Sequence, residues 1–181
     1  MRLVQFPGTL EWQPAAQRSD LLGAPVVAAL VDFPRASEVF VAAIDPDLSD
    51  TEQFCGTYGV GMAESANCVV VAGKREGQQR TAGCVVLATT RADVNGVVRR
   101  RIDVRKASFL PMDDAVAATG MEYGGITPIG LPAHWPVLVD LAVIDAGIVV
   151  IGSGIRGSKI ALPGAALADL AGAEVIEALA R

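Results

Sequence analysis

Histidine occurs once in this 181-residue chain, aromatic residues supply only 5% of it, and its three cysteines never form a CxxC pair. Each scarcity excludes a class of chemistry. His134, with no Cys or His at ligand spacing, excludes an ordinary zinc site, and no other metal or organic cofactor is expected. Cys55, Cys68 and Cys84 are odd in number and unpaired in spacing, which fits buried thiols in a reducing compartment rather than a disulfide framework. No G-x-S-x-G elbow is present, so a Ser-His-Asp hydrolase is not indicated. His134, beside Trp135 and between two prolines, reads as a loop residue. No apolar run approaches the roughly 20 residues a bilayer requires. The N-terminus lacks the basic-then-apolar layout of a signal peptide. A cytoplasmic protein without a membrane partner is the expectation.

What is present is a globular composition, 51% hydrophobic and 19% charged, sufficient for one domain spanning residues 1–181. With so few aromatics, the core must be Val, Ala, Leu and Ile. The net charge is −5, unevenly spread. Between Lys74 and Lys106 stand nine basic and three acidic residues, leaving six basic and seventeen acidic elsewhere. The densest part is "VVRRRIDVRK", with Arg99, Arg100, Arg101 and Lys106. It reads either as a solvated face or as a phosphate-contacting patch on an otherwise acidic protein.

Along the chain, "LLGAPVVAALV" predicts a short apolar helix and "EVFVAAI" a strand. Asp50 and Gln53 carry the spacing of a helix start, with the helix running to about Tyr58. "SANCVVVAG" and "TAGCVVLAT" form an expected antiparallel hairpin. Asp93–Arg101 reads as a short basic helix, "KASFL" as a strand, and "PMDDAVAATG" as a helix with early acids and a closing glycine. "PVLVDLAV", "GIVVIG" and "SKIAL" read as strands, and "PGAALADLAG" as a closing helix. The expected class is α+β: a curved mixed, largely antiparallel sheet surrounded by helices. An unpaired sheet edge would leave room for a homodimer.

"GSGIRG" (Gly152–Gly157) matches G-x-G-x-x-G, but a strand rather than a helix is expected after it, so it does not read as a dinucleotide site. "GGITPIGLP" (Gly124–Pro132) holds three glycines and two prolines in nine residues and is costly to order. Either segment alone suits a tight turn. Together they suggest a site made of main chain, where glycine permits close approach and N–H groups hold an oxygen.

The ordered set "SANCVVVAG", "EYGGITPIGLP", "PVLVDLAV" and "GIVVIGSGIRGSKIAL" resembles the YbaK/prolyl-tRNA synthetase-associated editing-domain family. The resemblance covers about residues 38–176, behind an N-terminal helical extension. Its most specific element is the G-x-x-x-P loop, Gly124–Pro128. It implies a free-standing deacylase acting on a small amino acid mischarged on tRNA, with ester cleavage assisted by the substrate itself. By carry-over, Gly124, Gly125 and Pro128 would shape the catalytic loop. Ile126, Thr127, Gly152, Ser153 and Gly154 would line the substrate site, and Asp140, matching the family's strand-end acid, would be either structural or pocket-lining. Arg99, Arg100, Arg101 and Lys106 become candidate acceptor-stem contacts. One departure stands out: the resemblance implies a functional Lys where this chain has Asn67. Asn cannot act as a cationic clamp, although its amide can orient a water or a carbonyl. The alternative to an enzyme is therefore a catalytically silent homologue that binds aminoacyl-tRNA or a nucleotide.

Overall fold

The computed structural model describes residues 5–181. Two sheets form the framework. The first joins β1 (Gln13–Pro14), β2 (Phe40–Ala43), β7 (Ile148–Ile151) and β8 (Ser158–Pro163) in the order β1-β2-β8-β7, all antiparallel. The second joins β3 (Ala66–Arg75), β4 (Gln78–Leu87), β5 (Ala107–Phe109), β6 (Val137–Asp140) and β9 (Ala173–Ile176) in the order β5-β3-β4-β6-β9. There β3 pairs antiparallel with β4 and β5, while β6 runs parallel to both β4 and β9. A Ser65–Val150 bridge links the start of β3 to β7. Helices α1 (Ala24–Asp32), α2 (Thr51–Tyr58), α3 (Arg99–Arg101), α4 (Met112–Thr119) and α5 (Leu141–Asp145) complete the α+β architecture.

The local chemistry explains most of these elements. The β3–β4 hairpin turns at Glu76 and Gly77, which have φ of 51° and 78°, the paired positive angles of a tight two-residue hairpin turn. Asp50 caps α2 by accepting from Glu52 N at 3.1 Å, leaving less of the helix start unsatisfied. The apolar runs of β4 and β6 are buried on both faces: Val85 and Val139 point into the main core, Cys84 and Leu138 into a second cluster. Alternate side chains of a strand face opposite sides, so a doubly covered strand reads as a continuous hydrophobic run.

Three elements add to or depart from the sequence expectation. "PVLVDLAV" is a strand only to Asp140, whose carboxylate accepts from Ala142 N at 3.2 Å and starts α5. The expected closing helix in "PGAALADLAG" is a 3₁₀ helix, over Gly164–Asp169. Gly164 and Leu167 are buried three residues apart, the repeat of a three-residue turn. Strand β9 is not signalled by its sequence and exists by pairing with β6. The N-terminal segment is more than an appendage. Ala15, Leu22 and Val26 enter the main core, and Gly23 N donates to Ser153 O at 2.9 Å. Among the described residues, no helix is long and apolar enough to cross a membrane.

Candidate active site

A cavity of about 520 Å³ opens between the two sheets. Its walls come from the Ser49–Thr51 turn, the start of β3, the Phe109–Leu110 segment, the Tyr123–Ile126 loop, and the end of β7 with Gly152. The two glycine-rich segments form one wall because their main chains are hydrogen-bonded to each other. Gly154 N donates to Gly125 O at 2.7 Å, and Glu122 N donates to Gly154 O at 3.0 Å. A Cβ on Gly125 would lie 2.6–2.8 Å from the Ile155 backbone, and one on Gly152 would lie 2.7 Å from Gly125 O. Both distances are closer than any side chain tolerates, so the contact requires glycine.

Arg156 clamps the outer edge of this wall. Its amide donates to Glu122 Oε2 at 2.8 Å, and its guanidinium donates to the carbonyls of Tyr123 (3.2 Å) and Pro46 (3.1 Å). Three large apolar side chains stand exposed at the mouth: Phe109, Met112 and Tyr123.

The inner end is polar. Lys159 on β8 is only 8% exposed, donates to Ser49 O at 3.0 Å, and holds its ammonium 5.1 Å from the centre of the Phe54 ring. Burial pushes its pKa down from the ordinary lysine value. The Ser49 hydroxyl is buried without a hydrogen-bond partner. Thr51 Oγ1 donates to Asn67 Oδ1 at 2.8 Å, which leaves the Asn67 NH₂ to serve a ligand. Cys68 also lines the cavity, but burial pushes its thiol up, and the Cys84 thiol behind it rises to about 12. Neither is a thiolate at neutral pH, and the thiolate is the nucleophilic form. Among the described residues, no three His, Cys, Asp or Glu side chains converge to hold a metal ion.

A family model for the aminoacyl-tRNA editing domain matches residues 45–170. The chain belongs to this family. The editing domain also resembles solved structures at low identity. A candidate trans-editing enzyme for prolyl-tRNA synthetase superposes with a TM-score of 0.71 at 18% identity, covering 91% of this chain and 96% of that one. A scaffold protein from computational epitope-backbone grafting gives 0.70 at 19% identity, over 86% and 95% of the two chains. The hypothetical protein APE2540 gives 0.67 at 18% identity, over 76% and 88%.

Within the editing domain, the residues singled out from sequence separate into groups. Asn67, Gly124, Ile126 and Gly152 line the cavity. Gly125, Thr127 and Pro128 are buried in the loop without lining it. Gly154 is buried in the facing turn, and the Ser153 hydroxyl bonds to Ser158 and to Ile155 O. Asp140 lies outside the cavity, its two carboxylate oxygens occupied by Ala142 N and Ala180 N. The basic residues also divide. Lys106 lines a depression with Lys74 and Arg105 that shares Phe109 and Leu110 with the cavity mouth. Arg101 faces another depression beside Arg80 and the exposed His134, and pairs with Glu174. Arg99 turns its guanidinium back to Asn95 O, and Arg100 is exposed.

Sequence reasoning missed Ser49, Lys159 and Arg156. Lys159 sits in "SKIAL", where alternation marks a strand but not the cavity into which one side chain points. The signal available was a lysine within a strand whose following residues are all apolar.

Proposed function

We propose that the protein is a free-standing aminoacyl-tRNA deacylase that hydrolyses the ester of a small amino acid mischarged on tRNA. The observation that carries this reading is the cavity itself. In a chain of the editing family, it is walled by the glycine-rich loops that meet through the Gly154–Gly125 hydrogen bond and floored by Lys159, Asn67 and the unpartnered Ser49 hydroxyl. Its one lining thiol, Cys68, is protonated and the histidine lies elsewhere, so no side-chain nucleophile is assigned. An aminoacyl ester is already activated, and positioning with electrostatic support suffices for much of the rate. Water is the attacking group, assisted by the substrate's own hydroxyl or side chain.

The acceptor end would enter past Phe109 and Tyr123, whose exposed rings suit stacking of a terminal base. The preceding phosphates would meet Lys106, Arg105 and Lys74 in the adjoining depression, whereas Arg99–Arg101 lie farther along the same basic segment. Asn67 would orient the water or the ester carbonyl in place of the expected lysine. A panel of alanyl-, cysteinyl-, seryl- and prolyl-tRNAs, with and without native protein, tests the reading. Faster hydrolysis of one ester is expected. No turnover across the panel, with retained binding of aminoacyl-tRNA, would instead support the silent binding module.

A further inference from the structure

Lys159 presents an unusual balance of charges. It is 8% exposed and in none of the ion pairs formed among the described residues. Asp50 on the cavity wall attracts it from beyond ion-pair distance, but burial outweighs that attraction, so the cation lowers stability and folding alone does not account for it. Its ammonium has one protein acceptor, Ser49 O, and rests against the Phe54 ring. One N–H of three is therefore used in hydrogen bonding. The Ser49 hydroxyl is buried and unpartnered beside Gly124, where a Cβ on that glycine would lie 3.2 Å from it, and rotation about the serine Cα–Cβ bond would aim it at a bound ester. The glycine wall offers fewer donors than its sequence suggests. Gly125 N is committed to Glu122 O, Gly154 N to Gly125 O, and Arg156 N to the Glu122 carboxylate.

We propose that the Lys159 ammonium and the Ser49 hydroxyl form the oxyanion site of the cavity, receiving the negative charge that develops on the ester carbonyl oxygen. This rests on the deacylase reading above. As the water oxygen bonds to the carbonyl carbon, the carbonyl π pair moves onto its oxygen, between these two donors. Collapse restores the carbonyl and breaks the bond to the ribose oxygen. That oxygen leaves with one water proton, and the second proton goes to solvent as the amino acid carboxylate departs. No further reactant is needed. The site lies at the inner end of the cavity, where burial of Lys159 makes a fixed cation act more strongly on a developing charge than it would in open solvent. Arg156 is spent holding the rim.

The test compares native protein, Lys159→Met and Ser49→Ala on whichever ester of the panel the native protein hydrolyses, with melting temperatures measured alongside. Lys159→Met removes the charge at similar length, and its kcat should fall about 100-fold or more. KM should change little, and the melting temperature should hold or rise. Ser49→Ala removes a group with no protein partner and should lower kcat while leaving melting unchanged. A rise in KM with kcat intact would overturn the proposal, making Lys159 a ground-state clamp. So would a lower melting temperature with native kcat in the folded fraction. If Lys159→Met fails to fold, Ser49→Ala decides, and native rates in that variant overturn the proposal. If the native protein hydrolyses no ester, the deacylase reading fails and this inference with it. Native turnover with unimpaired variants sinks the oxyanion assignment alone.

Discussion

Gly125→Ala is a demanding perturbation because it adds one methyl group where two main chains cross. The new carbon would sit 2.6 Å from Ile155 O, 2.7 Å from its carbonyl carbon and 2.8 Å from its nitrogen. All three are backbone atoms, which cannot swing aside as a side-chain end would. Relief requires parting the Glu122–Ile126 loop from the Gly152–Arg156 turn, straining the 2.7 Å bond from Gly154 N to Gly125 O. Overpacking of this kind costs about 1–3 kcal/mol. For a domain of this size each kcal/mol moves the melting temperature by about 2–4 °C, so a fall of about 2–12 °C is expected. Gly56→Ala supplies the control. It lies inside α2 with nothing within 4 Å of its added carbon, and should stabilise by about 0.5–1 kcal/mol. Calorimetry of both variants, with deacylation rates on the best ester, makes the comparison. Gly125→Ala should lose stability and turnover together. Unchanged melting and native rates in that variant would refute the view that close approach of the two loops shapes the cavity.

Further outcomes follow from other residues. Burial lowers the Lys159 pKa in the fold, so the folded state holds its proton less tightly than the unfolded chain and charging it costs stability. That cost is full below the folded pKa and disappears as pH rises to the unfolded value near 10.5. Lys159→Met should therefore show its largest melting advantage near neutral pH, shrinking in alkali, with Asp50 and Arg156 as the neighbouring charges and the Cys55 thiol, whose pKa burial pushes up, common to both proteins. An advantage independent of pH would contradict this. Asp140→Ala leaves Ala142 N and Ala180 N without their carboxylate acceptors; a loss of about 1–3 kcal/mol is expected in denaturant titration. Thr127→Val removes a buried hydroxyl that has no partner and should be neutral or stabilising in the same titration. Lys106→Gln should weaken tRNA binding and reduce the salt-dependence slope by about 1 in a filter-binding series, as one lost phosphate contact requires.

What could be read directly from the chain was local. The β3–β4 hairpin was legible because Gly77 and its polar neighbours interrupt two apolar strands, and α2 and α4 because their ends carry Asp50 and Gly120 at capping positions. The order of motifs around Gly124–Pro128 was enough to indicate the family. The residues after Asp140 were misread as strand because its N-cap bond starts a helix there, and the 3₁₀ form of the closing helix came from a buried three-residue repeat that apolar patterning does not show. Strand β9 depends wholly on the presence of β6 beside it.

The sequence by itself determined the class of fold, the editing family and the two glycine-rich segments, because turn chemistry, periodicity and motif order act over short stretches. Only the tertiary structure decided which of those residues meet. Lys159 and Ser49 stand 110 positions apart and carry no shared motif; folding alone places an unpaired ammonium and an orphan hydroxyl at the same end of one cavity. Charge and burial together make that place chemically distinct, and burial is a property of the assembled chain.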